Sequence, residues 1–230
     1  MFNFSEFSGI RNFATLVTAA HCGDLVYIGT YSGDECVAGA DDYYNQNDPN
    51  RQSIRIQKVF NNPVWNKGSK VQDVSVLRLE TSFQWTDYVQ PACMAHKGWE
   101  LPEGFICVVA GFGMDDGNGR PTGSRYLRQA ALNYMNDDDC HVLYQNANLD
   151  TSEDMQCFGT RYTGEPQGAC NGDSGGPLQC YIHGKWYFSG IVSFGAAGCD
   201  TNIASIYGKV YNNSIHDFIT TTIDDNGGWD

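Results

Sequence analysis

The chain has 230 residues, and Asp and Glu (27) outnumber Lys and Arg (14), giving a formal net charge of −13 at pH 7. Hydrophobic residues make up 41% of the chain, which excludes a disordered protein. The negative charge argues against nucleic acid as a partner, and no apolar stretch approaches the ~20 residues that a membrane-spanning helix requires. An all-β protein of this length is commonly one domain with a substantial core.

Short runs of β-branched and aromatic residues recur along the chain between turns rich in Gly and Asp. The runs that predict strands are Leu25–Gly29, Ser53–Phe60, Val74–Leu79, Phe105–Gly113, Trp186–Ser193 and Ile203–Val210. Two further segments predict helices. Asn136–Tyr144 begins with a capping Asn and three Asp, and Ser214–Ile223 places its apolar residues on one face behind a Ser cap. The pattern indicates a mostly β protein with a C-terminal helix.

Nine cysteines are spread through the chain, and none of them forms a C-x-x-C pair. The common zinc-finger and thioredoxin spacings are therefore absent. Scattered cysteines in a chain of this size are typical of disulfides formed in an oxidising compartment. We expect a secreted, extracellular protein. The first residues do not form a signal peptide, so we expect that signal to lie upstream of the printed chain.

The segment Gly172–Pro177, with the sequence GDSGGP, has the features of a nucleophile loop. A serine hydroxyl needs a neighbouring base and hydrogen-bond donors for the developing oxyanion. Glycines beside Ser174 let the backbone turn sharply and direct its N–H groups into one pocket. The same residues also fit the G-x-S-x-G elbow of α/β-hydrolases. By itself the motif therefore leaves two folds, and an ordinary glycine-rich turn, open.

Two other motifs decide between these folds: His21 in the sequence TAAHC, and Asp73 directly before an apolar strand. Each could alone be a core histidine or a turn aspartate. Together they give the order His21, Asp73, Ser174, which is the order of a chymotrypsin-type triad. An elbow hydrolase needs its acid and histidine after Ser174 and alternating strands and helices, which the sequence lacks. The candidates there would be Asp200 or Asp217 as the acid and His183 or His216 as the base.

In these motifs the chain resembles the trypsin/chymotrypsin family of serine proteases, from about Thr15 to about Ile223. The resemblance implies an all-β fold of two six-stranded antiparallel Greek-key barrels, the first of them incomplete, with a C-terminal helix. It makes residues 1–230 one N-terminally truncated peptidase domain, with barrels over about 1–95 and 103–211 and the helix over about 214–223. Further matches are Cys107–Gly113, Ser193–Gly195 and Tyr207–Val210.

The same resemblance implies a serine endopeptidase. Ser174 attacks the scissile carbonyl, His21 transfers the proton and Asp73 orients the imidazole, while the N–H groups of Gly172 and Ser174 form the oxyanion hole. No metal or organic cofactor is needed for this reaction. Its partners would be protein or peptide substrates and protein inhibitors, and we expect a monomer.

The resemblance also places a specificity pocket beside Ser174, with Gly168 at its base. Its other residues would be Ala169, Asn171, Ser193, Phe194, Gly195 and Ser205. Without an acid at the base, a bound Lys or Arg would be left unpaired at considerable cost. We therefore expect cleavage after uncharged residues, with medium to large apolar ones favoured, and Ser205 makes the pocket shallower.

Three disulfides carry over from the resemblance: Cys107–Cys180, Cys140–Cys157 and Cys170–Cys199. The pairing of the remaining Cys22, Cys36 and Cys93 stays open, with a Cys22–Cys36 bridge as one alternative. We interpret the carboxylates of an acidic loop (Asp41, Asp42 and Asp48) as solvated and expect no metal site there.

Activation of family members frees an N-terminus whose ammonium pairs with the aspartate before the nucleophile, here Asp173. No matching segment precedes His21 in this sequence. We expect the printed chain to be truncated and the native protein to be active. The alternative is a non-catalytic relative that serves as a binding or regulatory module.

Overall fold

The computed structural model describes residues 3–4, 14–24, 34–114, 123–146, 149–160 and 166–226. Its strands are β1 (Asn3–Phe4), β2 (Thr15–Thr18), β3 (Glu35–Ala38), β4 (Gln52–Asn61), β5 (Ser75–Leu79), β6 (Pro91–Met94), β7 (Ile106–Gly111), β8 (Arg128–Met135), β9 (Met155–Gly159), β10 (Pro177–Ile182), β11 (Lys185–Phe194) and β12 (Ser205–Lys209). The helices are α1 (Ala20–Gly23), α2 (Asp137–Gln145) and α3 (Asn213–Asp225), and a 3₁₀ turn covers Ala197–Cys199. The predicted strand Leu25–Gly29 lies outside the described residues.

The C-terminal half forms a closed antiparallel barrel. Its strands follow the order β11-β10-β7-β8-β9-β12, and β12 pairs back onto β11 to complete the ring. Apolar side chains that include Leu132, Leu178 and Tyr207 fill its interior. Closure leaves these six strands with no unpaired edge.

The N-terminal half is an antiparallel half-barrel with the strand order β2-β5-β4-β3. Leu16, Leu77, Leu79 and Phe83 form its core. The prediction of a mostly β protein with two barrel units, the first incomplete, and a C-terminal helix is confirmed for the described residues.

Helix α3 packs against both halves. Its buried residues Ile215, Ile219 and Ile223 join one apolar cluster with Val17 of β2 and Ile191 of β11. Burial of this apolar face, rather than helix propensity, stabilises a segment that contains three consecutive threonines. None of the helices among the described residues has the length and apolar character needed to cross a membrane.

The predicted Ser cap of α3 is wrong. Asn212 is the N-cap, because its extended backbone lets Oδ1 accept hydrogen bonds from the N–H groups of Ser214 (3.0 Å) and Ile215 (3.4 Å). Ser214 instead lies in the first turn. The predicted cap of α2 is confirmed, since Asn136 Oδ1 accepts from the N–H of Asp139 at 2.8 Å.

Candidate active site

Asp73 and His21 are brought together by the pairing of β2 with β5. Thr18 at the end of β2 pairs with Ser75 at the start of β5, so the residues just beyond these positions lie side by side. His21 Nδ1 lies 2.7 Å from Asp73 Oδ2, and the His21 backbone N–H donates to Asp73 Oδ1 at 2.9 Å. The carboxylate is buried.

A third donor reaches the same carboxylate from the other half of the molecule. The hydroxyl of Ser193, in β11, donates to Asp73 Oδ2 at 2.5 Å. A buried carboxylate requires several donors to offset its loss of hydration. From the sequence we assigned Ser193 only to the pocket wall, because no pattern in the sequence shows this contact between the two halves.

The hydrogen bond to Asp73 raises the pKa of His21 above its ordinary value, with a further contribution from Cys22 and partial opposition from burial. Asp73 also fixes the tautomer of the ring. A carboxylate accepts only, so the proton of the neutral imidazole lies on Nδ1 and Nε2 remains a proton acceptor.

Ser174 lies on an exposed turn between two glycines with left-handed backbones, Gly172 (φ 98°) and Gly175 (φ 74°). Gly175 packs directly against the segment that carries His21. A Cβ at Gly175 would lie 2.1 Å from Thr18 Oγ1 and 3.2 Å from Cys22 Sγ, so no other residue fits without movement. The nucleophile loop and the histidine segment are therefore in contact.

Both Ser174 and His21 are described residues, yet no hydrogen bond joins the Ser174 hydroxyl to the imidazole. Catalytic hydrogen bonds are often long without substrate and tighten when it binds. The structure thus brings His21 and Asp73 into contact and places Ser174 on the adjoining loop.

The Asp173 side chain contacts the end of β7 and the residues that follow it. Its Oδ1 accepts from the N–H of Gly113 (2.8 Å) and its Oδ2 from the N–H of Cys170 (2.9 Å). A Cβ at Gly111 would lie 2.0 Å from Asp173 Oδ1, so that position has no room for a side chain. Asp173 borders a cavity of about 620 Å³, which Arg128 and Gly168 also line.

A second cavity, of about 250 Å³, opens beside Ser174. It contains every residue assigned to the specificity pocket: Gly168, Ala169, Asn171, Ser193, Phe194, Gly195 and Ser205. The Ser205 hydroxyl is close to the opposite wall, since a Cβ at Gly195 would lie 2.9 Å from Ser205 Oγ. Asp200 and Thr201 also line this cavity, and sequence reasoning did not assign them to it.

The structure forms all three disulfides implied by the resemblance, Cys107–Cys180, Cys140–Cys157 and Cys170–Cys199. The last joins the two walls of the specificity pocket. Cys22, Cys36 and Cys93 are not in disulfides, so the Cys22–Cys36 bridge is not formed.

Two other carboxylates named in the sequence analysis form ion pairs. In the acidic loop Asp42 forms a two-pronged ion pair with Arg125, and Asp217 of α3 pairs with Lys97. Within the ranges that the structure describes, no cluster of three or more His, Cys, Asp or Glu side chains is placed to share a metal ion.

The comparison with known protein families agrees with the geometry. The family model named Trypsin matches residues 8–219, which is most of the chain and covers both sheets and the start of α3. The chain therefore belongs to the trypsin family.

Proposed function

We propose that this trypsin-family chain is a serine endopeptidase that cleaves peptide bonds through an acyl-enzyme. The observation that carries the proposal is the 2.7 Å contact between His21 Nδ1 and buried Asp73 Oδ2, on a segment that touches the Ser174 loop. Ser174 Oγ attacks the carbonyl carbon while its proton passes to His21 Nε2. His21 then protonates the leaving amine as the peptide C–N bond breaks, and water hydrolyses the acyl-enzyme by the same route.

The oxyanion hole is formed by the backbone N–H groups of Gly172 and Ser174. The left-handed conformation of Gly172 supports this role, because it lets neighbouring N–H groups point the same way. One such donor contributes about 3–4 kcal/mol to transition-state stabilisation.

The 250 Å³ cavity takes the side chain that precedes the cleaved bond. Gly168, at the proposed base, carries no charge, and the Ser205 hydroxyl narrows the cavity. Asp200, which also lines it, is exposed and accepts two hydrogen bonds from Asn202. These features support a preference for uncharged, medium to large apolar residues. In a peptide library we expect such residues to be enriched at this position. Enrichment of Arg or Lys would contradict the assignment.

We assign to Asp173 the binding of the amino terminus that activation frees. A free amino terminus that enters the 620 Å³ cavity would add an ion pair to a carboxylate already held by two backbone N–H groups. The three disulfides support a secreted, extracellular protein. We expect a monomer whose partners are protein or peptide substrates and protein inhibitors.

The second candidate function is a non-catalytic binding or regulatory module. The observation that favours it is the missing hydrogen bond between Ser174 and His21. Turnover of peptide esters by the protein and by Ser174→Ala tests both functions. The endopeptidase assignment predicts turnover that the substitution abolishes, whereas equal rates in the two proteins would refute it.

A further inference from the structure

Gln72, the residue before Asp73, has an unusual backbone. Its φ is 57°, in the left-handed region that a non-glycine residue rarely adopts, and the residue is buried. Such a conformation persists only where surrounding contacts hold it, and it is common beside active sites.

The contact that holds this backbone comes from the closed barrel. The Gln72 N–H donates to Asp154 Oδ2 at 2.6 Å, across 82 positions of sequence. Asp154 is only 4% exposed and directly precedes β9. Its own backbone is fixed, because the Lys209 N–H of β12 donates to its carbonyl at 2.7 Å. The Ser152 hydroxyl donates to its other carboxylate oxygen at 2.5 Å.

The side chain of Gln72 is also held at both ends. Its Oε1 accepts from Asn62 Nδ2 at 3.0 Å, and its Nε2 donates to the Ser214 hydroxyl of α3 at 2.7 Å. The half-barrel, the closed barrel and α3 therefore all meet at this residue.

The conformation of Gln72 sets the direction of Asp73. The Val74 N–H donates to the Gln72 carbonyl at 2.8 Å, which closes a tight turn with Asp73 at its centre. Rotation of the backbone at Gln72 would swing the Asp73 carboxylate away from both His21 Nδ1 and Ser193 Oγ.

We infer that Asp154 is a positioning residue for the active site, because its carboxylate locks Gln72 in the conformation that aims Asp73 at His21. Asp154 touches neither substrate nor the reacting atoms, and it acts only through Gln72 and Asp73. The inference rests on the proposed endopeptidase function, and it adds a connection between the closed barrel and the histidine of the half-barrel.

The test replaces Asp154 with Ala and with Asn. Asp154→Ala removes the acceptor, whereas Asn keeps an oxygen for the Gln72 N–H and an amide that can donate to Ser152. Asp154→Glu keeps the charge but displaces the accepting oxygen. It takes the place of Asp154→Ala in the test if the alanine variant does not fold. Asn136→Ala, which removes the N-cap of α2 away from this network, is the control for a general loss of stability.

Two readouts separate positioning from stability: kcat and KM for a peptide ester, and the NMR resonance of the His21 Nδ1 proton. That proton is strongly deshielded in a 2.7 Å bond to a carboxylate. For Asp154→Ala or Asp154→Glu we expect kcat to fall about tenfold or more with KM nearly unchanged, and the resonance to move upfield. Asp154→Asn should keep most of the kcat of the unsubstituted protein and most of the downfield shift of its His21 proton.

Asn136→Ala is expected to lower stability and to leave kcat and the His21 proton resonance unchanged. The same result for Asp154→Ala and Asp154→Glu would overturn the inference. The resonance does not depend on turnover. If the unsubstituted protein hydrolyses no ester, the proposed function fails, and the shift of the resonance in the Asp154 variants still decides the positioning role.

Discussion

Among the single residues, one buried carboxylate carries the proposed chemistry. Asp73 accepts from the His21 backbone, the His21 ring and the Ser193 hydroxyl. These donors offset the cost of burying the charge and leave the carboxylate one orientation. The proton on His21 Nδ1 is held in place as a result, which leaves Nε2 as the proton acceptor.

Asp73→Asn tests this arrangement. The amide has nearly the same shape, but one of its two polar atoms is an NH₂ group that donates. If its oxygen keeps the bond from the His21 backbone N–H, its NH₂ group faces His21 Nδ1 and favours the other imidazole tautomer. We expect kcat/KM for a peptide ester to fall about 10⁴-fold. A fall of less than about tenfold would show that Asp73 does not orient His21.

The raised pKa of His21 predicts an alkaline rise in activity. Only the neutral imidazole accepts the Ser174 proton, so kcat/KM should increase with pH above the ordinary histidine value of about 6.5. The stability of the fold should change with pH in the opposite direction to the activity. The bond to Asp73 stabilises the fold fully below that ordinary value, and this contribution is lost as pH rises through the raised pKa. A pH–rate profile checks the alkaline rise in kcat/KM, and activity that is greatest below about pH 6 would contradict it.

At the scale of elements, the cap of α3 joins the helix to the closed barrel. Asn212 accepts from two N–H groups of the helix, and its Nδ2 donates to the Glu153 carbonyl at 3.2 Å. One side chain thus caps the helix and joins it to the segment that leads into β9.

Asn212→Ala should lower the free energy of unfolding by about 1 kcal/mol, as expected for the loss of an N-cap. Chemical denaturation measures this change. Asn213→Ala, at the neighbouring exposed position, is the matched control and should have almost no effect. Equal effects of the two substitutions would show that the cap contributes nothing.

The elements differ in how clearly their sequences indicate them. Strands with consecutive β-branched or aromatic residues, such as β5, β11 and β12, are close to their predicted ranges. The mixed sequence RQAALNYM of β8 gave no strand signal, because its pairing with β7 and β9 supplies the stability that its residues do not.

The motifs led to His21, Asp73 and Ser174, and the resemblance implied that Asp73 orients His21. Two contacts that the closed barrel makes with this segment could not be predicted. Ser193 reaches Asp73 across 120 positions of sequence and Asp154 reaches Gln72 across 82. A left-handed backbone at Gln72 has no signature in the sequence, because glutamine does not favour that conformation.

At the scale of the whole molecule, α3 and one apolar cluster join the half-barrel to the closed barrel. Ile219 is fully buried in this cluster, together with residues of both sheets. The site lies along the same boundary, since its histidine and serine come from different halves. Stability and activity should therefore be lost together.

Ile219→Ala should lower the free energy of unfolding by about 2–5 kcal/mol because it leaves a cavity between the two halves. We expect far-UV circular dichroism and tryptophan fluorescence to report a single shared transition. The exposed Thr221→Ala on the same helix is the control. Two separate transitions would show that the halves unfold independently.

The proposed mechanism requires that His21 activates Ser174 as a nucleophile. The most direct measurement is the rate at which a fluorophosphonate probe labels the protein, with the modified residue identified by mass spectrometry. We predict rapid labelling on Ser174 that is lost in Ser174→Ala and strongly slowed in His21→Ala. No labelling, or the same slow rate in the protein and in His21→Ala, would contradict the claim and favour the non-catalytic binding module.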